Sequence, residues 1–381
     1  MTTVTETVYH ICTRCILDTS DRDIEFDDNG VCNHCREFDT IVQNRGPGSE
    51  QSQKSLETLC ERIRAEGEGK PYDCLVGLSG GVDSSYVAYL AKQYRLRPLA
   101  VHFDNGWNSE LAVKNIHRIV STLEFDLQTY VIDWEEFRDL QRSFIKAGVI
   151  DIEMLTDHAI FASLFRISRE NDIKYILSGV NVATESGMPR SWTWFKQDFR
   201  NIKAIHDRFG DVRLKTFPRV GTLKWLYLTF ISRDFYFVDI LNYVNYEKEK
   251  AMTVLEDKLG WQYYGGKHYE SLFTQFYQAY ILPEKFKVDK RRVHLSSLIR
   301  NGEITRDEAL QEMEKPLYDP KLLKAHKEYV LKKLGFSEEE FGRIMREPPR
   351  DHDFYPTSQS IIDVLKKIKK MISPGSRKPS N

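Results

Sequence analysis

Hydrophobic and polar positions alternate in two different periods after residue 72. The apolar runs YDCLVGLS, RPLAVHFD, LQTYVID and KYILSG each have the length of a buried strand. Between them, SSYVAYLAKQY and the segments 109–123, 134–147 and 157–171 have helical spacing. This alternation predicts a parallel sheet covered by helices, an α/β fold in which ligands bind beyond the carboxyl ends of the strands.

The rest of the chain has a different character. Residues 1–45 are polar and contain paired cysteines, and 46–71 read as a turn-rich linker with a short helix at 56–66. We expect the α/β domain at 72–190, and the aromatic-rich spacing that follows predicts a mostly helical substrate or partner region at 191–347. At 348–381 we expect a basic amphipathic helix and a disordered tail. The helix could contact a membrane or a partner. Alternatively, its lysine face is solvated and its apolar face packs against the protein.

Composition excludes some classes of function. The chain of 381 residues has 55 basic and 56 acidic side chains, so it lacks the basic excess typical of nucleic-acid binding. No apolar run approaches the ~20 residues of a membrane span. The N-terminus does not read as a secretory signal. We therefore expect a cytoplasmic protein with no nucleic-acid partner and no integral membrane segment.

The six cysteines all lie in the first fifth of the chain. Two CxxC pairs are separated by sixteen residues and fit a tetrahedral zinc site with four thiolate ligands, Cys12, Cys15, Cys32 and Cys35. The turn DDNG allows the segment between the pairs to fold back as a hairpin. A disulfide pair and an iron–sulfur cluster are the alternatives, and a cytoplasmic setting disfavours disulfides. A closed four-thiolate shell indicates a structural zinc, with Cys60 and Cys74 as packed free thiols.

The segment SGGVDSS follows the first strand and opens a helix. Gly80 and Gly81 permit close approach of the backbone, and the helix N-terminus presents N–H groups to an anion. Ser79, Ser84 and Ser85 add hydroxyl groups. The segment is neither the Walker pattern, since it has no lysine, nor the dinucleotide pattern GxGxxG.

This segment resembles the PP-loop of the ATP pyrophosphatase superfamily, SGGxDS[ST]. The resemblance implies that ATP is cleaved between its α and β phosphates, with the loop holding pyrophosphate and Asp83 facing Mg²⁺. VHFDNG is similar to the superfamily segment that holds adenine, which implies contacts from Val101, Phe103 and Asp104. SGVNVATES resembles a loop of NAD synthetase, which implies Gly179 in the nucleotide site and Glu185 as a second magnesium ligand.

Two branches of PP-loop enzymes compete. A tRNA thiolase with a zinc module needs further cysteines, and this chain has none after Cys74. The other branch forms amides or amidines with ammonia after adenylation of an oxygen. Thr2 stands where an N-terminal glutaminase carries its cysteine, so a separate glutaminase or free ammonia is implied.

Over about residues 10–345 the chain resembles the N-acetyl sugar amidotransferases of bacterial surface-polysaccharide biosynthesis, the WbpG-like family related to the PseA proteins. The resemblance is carried by CTRCILDTSD, GVCNHCREF, LVGLSGGVDSSYVA, VHFDNGWNSE, LSGVNVATESGMP and the segment YYGGKHYESLF through RNGEITRDEAL. It implies conversion of an acetamido group on a UDP-linked sugar to an acetamidino group in O-antigen synthesis. It also implies glutaminase and cyclase-like partners resembling the histidine-biosynthetic pair.

Two C-terminal segments supply further candidate residues. In GGKHYESLF, His268 and Glu270 are candidates for the sugar site or for taking a proton from ammonia. In KFKVDKRRVHLS, Lys290 and Arg291 are expected to screen pyrophosphate and the sugar diphosphate, and a charged helix start is the alternative. With Asp83 these four form the predicted catalytic set.

Overall fold

A parallel sheet of five strands lies at the centre of the chain. The structure is a computed structural model that describes residues 9–45, 47–230, 232, 235–264 and 270–362. The sheet order is β3-β2-β1-β4-β5, and every neighbouring pair is parallel. The strands are β1 Cys74–Gly77, β2 Pro98–Asp104, β3 Leu127–Val131, β4 Tyr175–Ser178 and β5 Tyr236–Asp239. The predicted α/β fold class and its four predicted strands are confirmed.

Helices cover both faces of this sheet and form the region that follows it. They are α1 Asn33–Arg45, α2 Glu50–Glu66, α3 Val82–Gln93, α4 Glu110–Leu123, α5 Trp134–Ala147, α6 Met154–Glu170, α7 Val182–Glu185, α8 Phe199–Phe209, α9 Thr222–Phe230, α10 Lys248–Leu259, α11 Leu272–Phe276, α12 Arg291–Asn301, α13 Arg306–Glu314, α14 Pro320–Leu334 and α15 Glu338–Arg346. A π-helical segment Tyr277–Phe286 follows α11, and 3₁₀ turns occur at Arg190–Trp192, Ile240–Tyr243 and His352–Phe354. The expected helical C-terminal region is confirmed within the described ranges.

Three clusters of buried side chains hold these layers together. Helices α2, α3, α4 and α10 pack on one sheet face, and α6 and α9 pack on the other. A third cluster joins α5, α8, α11 and α14 to the cysteine-rich N-terminal segment. Burial of these apolar side chains is the main stabilising contribution to the fold.

Two elements differ from the sequence-based expectation. Helix α2 begins at Glu50, six residues before the predicted start, because the Ser49 side chain accepts a hydrogen bond from Ser52 N and caps it. Strand β5 lies in a segment that was expected to be helical. It forms because β4 leaves an edge that the extended residues 236–239 pair with, and the Tyr236 ring stacks on Tyr175 at 5.7 Å.

Candidate active site

The loop between β1 and α3 has a backbone shape that requires glycine. Gly80 has a φ of +82°, and a Cβ atom there would lie 2.6 Å from the carbonyl oxygen of Ala112. The buried Trp261 holds this turn from the other side, since its Nε1 donates a hydrogen bond of 2.9 Å to Gly80 O. The loop is therefore fixed between α4 and Trp261 before any ligand arrives.

Serine hydroxyl groups line the mouth of this loop. Ser79 Oγ lies 3.0 Å from Ser84 Oγ and accepts a hydrogen bond from Gly81 N at 3.2 Å. Ser85 is fully buried below them. Helix α3 starts after Gly81, which has no side chain, so no capping side chain satisfies its first N–H groups. Such an N-terminus is suited to an anion.

A cavity of about 280 Å³, called here the loop cavity, opens above these groups. Gly179 follows β4 and touches α3 closely, because a Cβ atom there would lie 3.3 Å from Asp83 Cβ and from Ser84 N. This close approach brings Asp83 and Glu185 to the same cavity. The residues of its lining that the sequence predicted are Ser79, Gly81, Asp83, Ser84, Gly179, Glu185 and Glu270.

Two tyrosines that the sequence analysis did not select reach the acids of the loop cavity. The Tyr246 hydroxyl donates a hydrogen bond to Asp83 Oδ1. Burial, and then the Asp83 carboxylate, raise the pKa of Tyr246 far above its ordinary value, so the phenol stays a donor. Tyr264 lines the cavity, and burial followed by the charge of Glu270 raises its pKa in the same way. No local motif marks Tyr246, whereas Tyr264 lies in the segment YYGGKHYESLF that carries the family resemblance.

A second cavity of about 260 Å³, the strand cavity, adjoins the first between β2 and α6. It is lined by Val101 and Phe103, which were predicted to contact adenine. Ser79, Ser84 and Glu270 line both cavities and so form their common boundary. One extended ligand with an apolar ring at one end and phosphates at the other matches this pair of cavities.

Other predicted residues lie outside both linings. Asp104 Oδ1 accepts hydrogen bonds from Gly106 N and Asn108 Nδ2, and so shapes the turn after β2. Lys290 is buried, with its Nζ 3.0 Å from Glu153 Oε2. Arg291 pairs with Asp289 at 2.8 Å and caps carbonyl groups at the end of α13. His268 lies outside the described residues.

Two other basic residues line the loop cavity within the described ranges. Lys248, at the start of α10, and His294, on α12, belong to its lining. His294 lies in the same basic segment, KFKVDKRRVHLS, as Lys290 and Arg291, the two residues that were predicted to screen pyrophosphate. Lys248 carries no sequence signal, because the α10 start is brought to the loop by the fold.

The four paired cysteines form one buried cluster. The sulfur atoms of Cys12, Cys15, Cys32 and Cys35 all lie within 4.8 Å of one another. Backbone N–H groups of Cys15 and Cys32 donate to Cys12 Sγ at 3.4 and 3.3 Å, which favours a thiolate. The arrangement is compatible with a tetrahedral zinc site of four sulfur ligands.

Helix α12 joins this cysteine cluster to the loop cavity. Ile16 N donates to Ser296 Oγ at 3.1 Å, and Arg292 pairs with Asp18 at 2.9 Å. His294 and Leu298 of the same helix line the loop cavity. The cysteine-rich segment therefore supports an element of the candidate site without reaching the site itself.

Comparison with known families finds two matching segments in this chain. Residues 72–180 match the asparagine synthase family, and the geometry above matches an ATP-utilising PP-loop enzyme of amidotransferase-like type. Residues 270–369 match the family described as LPS biosynthesis protein WbpG-like, C-terminal domain. The predicted resemblance to the WbpG-like family is confirmed over residues 270–369.

Solved structures with significant similarity are distant. NMN synthetase from Francisella tularensis is 16% identical with a TM-score of 0.29, and the match covers 35% of this chain and 55% of that one. The NH3-dependent NAD synthetase from Campylobacter jejuni is 16% identical with a TM-score of 0.31, covering 75% and 97%. The chain thus spans about half of the NMN synthetase. No curated protein matches significantly. Among the described helices, none has the length and apolarity to cross a membrane.

Proposed function

We propose that the protein is an AMP-forming amidotransferase that converts the acetamido group of a UDP-linked sugar to an acetamidino group. The observation that carries the proposal is the pair of adjoining cavities, which share Ser79, Ser84 and Glu270 as their boundary. In this proposal the adenosine of ATP occupies the strand cavity, and the β and γ phosphates occupy the loop cavity. The α-phosphorus then lies at the boundary, where an acceptor can reach it.

The donor groups of the loop cavity suit magnesium. Asp83 and Glu185 both line it, and carboxylate oxygens are the ligands that this hard cation prefers. Bound there, the ion would screen the charge that builds up on the departing pyrophosphate. The N–H groups at the start of α3 and the hydroxyls of Ser79 and Ser84 hold the phosphates in place.

The reaction proceeds in two displacements. The acetamido oxygen attacks the α-phosphorus, the bond to the β-phosphate oxygen breaks, and pyrophosphate leaves. Ammonia then adds to the carbon that bears the adenylated oxygen and loses one proton, and AMP departs to leave the protonated amidine. Glu270, between the two cavities, is the proposed acceptor of a proton from ammonia, since it lines both.

The burial of the two cysteines outside the cluster favours the amidotransferase reaction over the sulfur transfer of a tRNA thiolase. Cys60 and Cys74 are 1% and 0% exposed and belong to the core on one sheet face. Burial raises the pKa of Cys60 to about 12 and that of Cys74 well above its ordinary value. Since a thiolate is the nucleophile in sulfur transfer, neither thiol is suited to that chemistry.

The remaining parts follow from the same proposal. The zinc module at 1–45 supports α12, the 72–190 domain binds ATP, and the 191–347 region binds acceptor or partner. The 46–71 segment connects the first two of these, and 348–381 lies mostly outside the described residues. Ammonia is supplied by a separate glutaminase with a cyclase-like protein, in the cytoplasm, during surface-polysaccharide synthesis.

A direct assay tests the proposal. The purified chain is mixed with Mg-ATP, ammonium and a UDP-linked acetamido sugar, and AMP and amidino sugar are quantified by mass spectrometry. We expect equal amounts of both products, and neither without the sugar. Release of AMP that depends on tRNA instead of the sugar would replace this proposal with the thiolase.

A further inference from the structure

A third cavity, which the proposed reaction does not use, carries a concentrated positive charge. It has a volume of about 480 Å³ and lies between α6, β3 and the segment 216–224. We call it the basic cavity, after its cationic lining residues Arg166, Arg169, Arg219 and Lys224. One carboxylate, Glu170, lines it as well, so the lining has a net charge of +3 in a chain whose net charge is −1.

Aromatic rings, instead of acids, hold most of these cations. Arg169 and Lys224 lie over the Phe165 ring at 5.9 and 5.4 Å from its centroid, and Arg219 lies 5.8 Å from that of Phe199. Glu170 pairs with Arg166 Nε at 3.1 Å. Stacking on a ring orients a cation without neutralising it, so the N–H donors remain available to an anion.

The basic cavity adjoins the strand cavity. Ser163 lines both, and its buried hydroxyl has no hydrogen-bond partner among the described residues. The Phe103 ring of the strand cavity stacks on the Tyr130 ring of the basic cavity, with centroids 5.6 Å apart and planes 3° apart. A buried polar atom without a partner is costly, so a ligand that bonds to Ser163 would relieve that cost.

We infer that the basic cavity binds the diphosphate of a nucleoside-diphosphate ligand. The guanidinium groups of Arg169 and Arg219 offer planar, bidentate donors to diphosphate oxygens, and Lys224 adds an ammonium group. Its position beside the strand cavity suits an acceptor that must approach bound ATP. The inference that this ligand is the acceptor sugar rests on the proposed function. The inference that the cavity binds a diphosphate does not.

Direct binding tests the inference with UDP as the probe. The nucleotide site is first filled with the α,β-methylene analogue of ATP, and UDP is then titrated by calorimetry. We expect Arg169→Gln/Arg219→Gln to weaken UDP binding roughly hundredfold or more, since each of the two lost charge-assisted hydrogen bonds costs about 1.5 kcal/mol or more. Binding of the ATP analogue should change little. Both arginines are exposed, so the variant is expected to fold.

The matched control is Lys54→Gln/Arg62→Gln, which removes two exposed cations from α2 on the opposite sheet face. It should leave both affinities unchanged. Unaltered UDP binding in the arginine variant would overturn the inference, as would an equal loss in the control. Inorganic phosphate is titrated in parallel, and an affinity equal to that of UDP would refute a nucleoside-diphosphate site in favour of a simple phosphate site.

The outcome is separable from that of the proposed function. Loss of UDP binding in a protein that never releases AMP with sugar and ammonium would retain the site and reject the function. Normal UDP binding and normal turnover in the arginine variant would reject the site and retain the function.

Discussion

The Tyr246 hydroxyl donates a hydrogen bond to Asp83, the one acid within the loop SGGVDSS. The two residues are 163 positions apart, and the contact forms where the segment before α10 returns to the start of α3. This bond orients the Asp83 carboxylate towards the loop cavity. It also occupies one carboxylate oxygen, so it competes with a metal ion for that oxygen.

Substitutions at Asp83 separate these two effects. We expect Asp83→Asn and Asp83→Ala both to lower kcat roughly hundredfold or more, because each removes the charge that faces the phosphates. Asp83→Asn keeps an oxygen that accepts from Tyr246, so it should stay nearer to the parent in stability than Asp83→Ala. Tyr246→Phe should lower the Mg²⁺ concentration for half-maximal activity several-fold. Full activity in Asp83→Asn would contradict the assignment.

Two glycines with similar backbone angles test whether the shape of the loop matters. Gly80 and Gly69 have φ values of +82° and +77°, but no atom lies within 4 Å of a Cβ placed on Gly69. Gly69→Ala should therefore cost about 1 kcal/mol in stability and leave ATP binding intact. Gly80→Ala adds a clash with Ala112 O and should weaken ATP binding roughly tenfold or more. Calorimetry and urea unfolding measure the two effects, and equal affinities would refute the role of the loop.

The cysteine cluster should hold one structural zinc ion per chain. Cys15→Ser and Cys32→Ser are expected to lose the metal and roughly 4 kcal/mol or more of stability. Cys60→Ser, which changes a buried cysteine outside the cluster, should keep the metal. Metal content by mass spectrometry and thermal unfolding check this. Stoichiometric iron with visible absorbance would identify an iron–sulfur cluster instead.

Two buried histidines should make the fold sensitive to acid. Burial lowers the pKa of His158 and of His352 from 6.5 to about 4. The unfolded chain therefore binds more protons between pH 4 and 6.5, so stability falls as the pH falls through this range. From pH 7 to pH 5 the loss should be roughly 2 kcal/mol for each histidine.

The contacts of His158 explain why its imidazole stays neutral. In His158, Nδ1 lies 2.9 Å from Lys196 O and Nε2 accepts from Val220 N at 3.2 Å, so Nε2 has no room for a proton. Urea unfolding at pH 7 and pH 5 should show a smaller difference in His158→Gln than in the parent. His117→Gln, which changes an exposed histidine, is the control and should keep the full difference.

The source of nitrogen should be external to this chain. With Mg-ATP and acceptor sugar, ammonium is expected to support turnover and glutamine alone is not, since no cysteine follows Cys74. Amidine formation with each nitrogen source, measured on the isolated chain, checks this. Efficient use of glutamine without a partner would contradict the proposed dependence on a separate glutaminase.

The local chemistry of this protein could be predicted from short segments. SGGVDSS, the two CxxC pairs and the strand lengths were sufficient for the loop, the cysteine cluster and four strands, because each depends on neighbouring residues. Strand β5 was missed because its pairing with the edge of β4 is a tertiary contact. Tyr236, Phe237 and Val238 favour strands, but they lie within a longer aromatic segment whose spacing predicted helix.

The composition of the site depended on tertiary structure. Lys290 and Arg291 carry the positive charge that phosphate binding requires. In the folded chain, however, Lys290 forms an ion pair with Glu153 and Arg291 forms one with Asp289. Lys248 and Tyr264 reach the loop cavity because α10 and the segment after it pack against α3 and α4. Sequence alone determined which residue types can bind phosphate and metal, since that is a property of each side chain. The tertiary structure decided which of them share a cavity, because distance and burial depend on the whole fold.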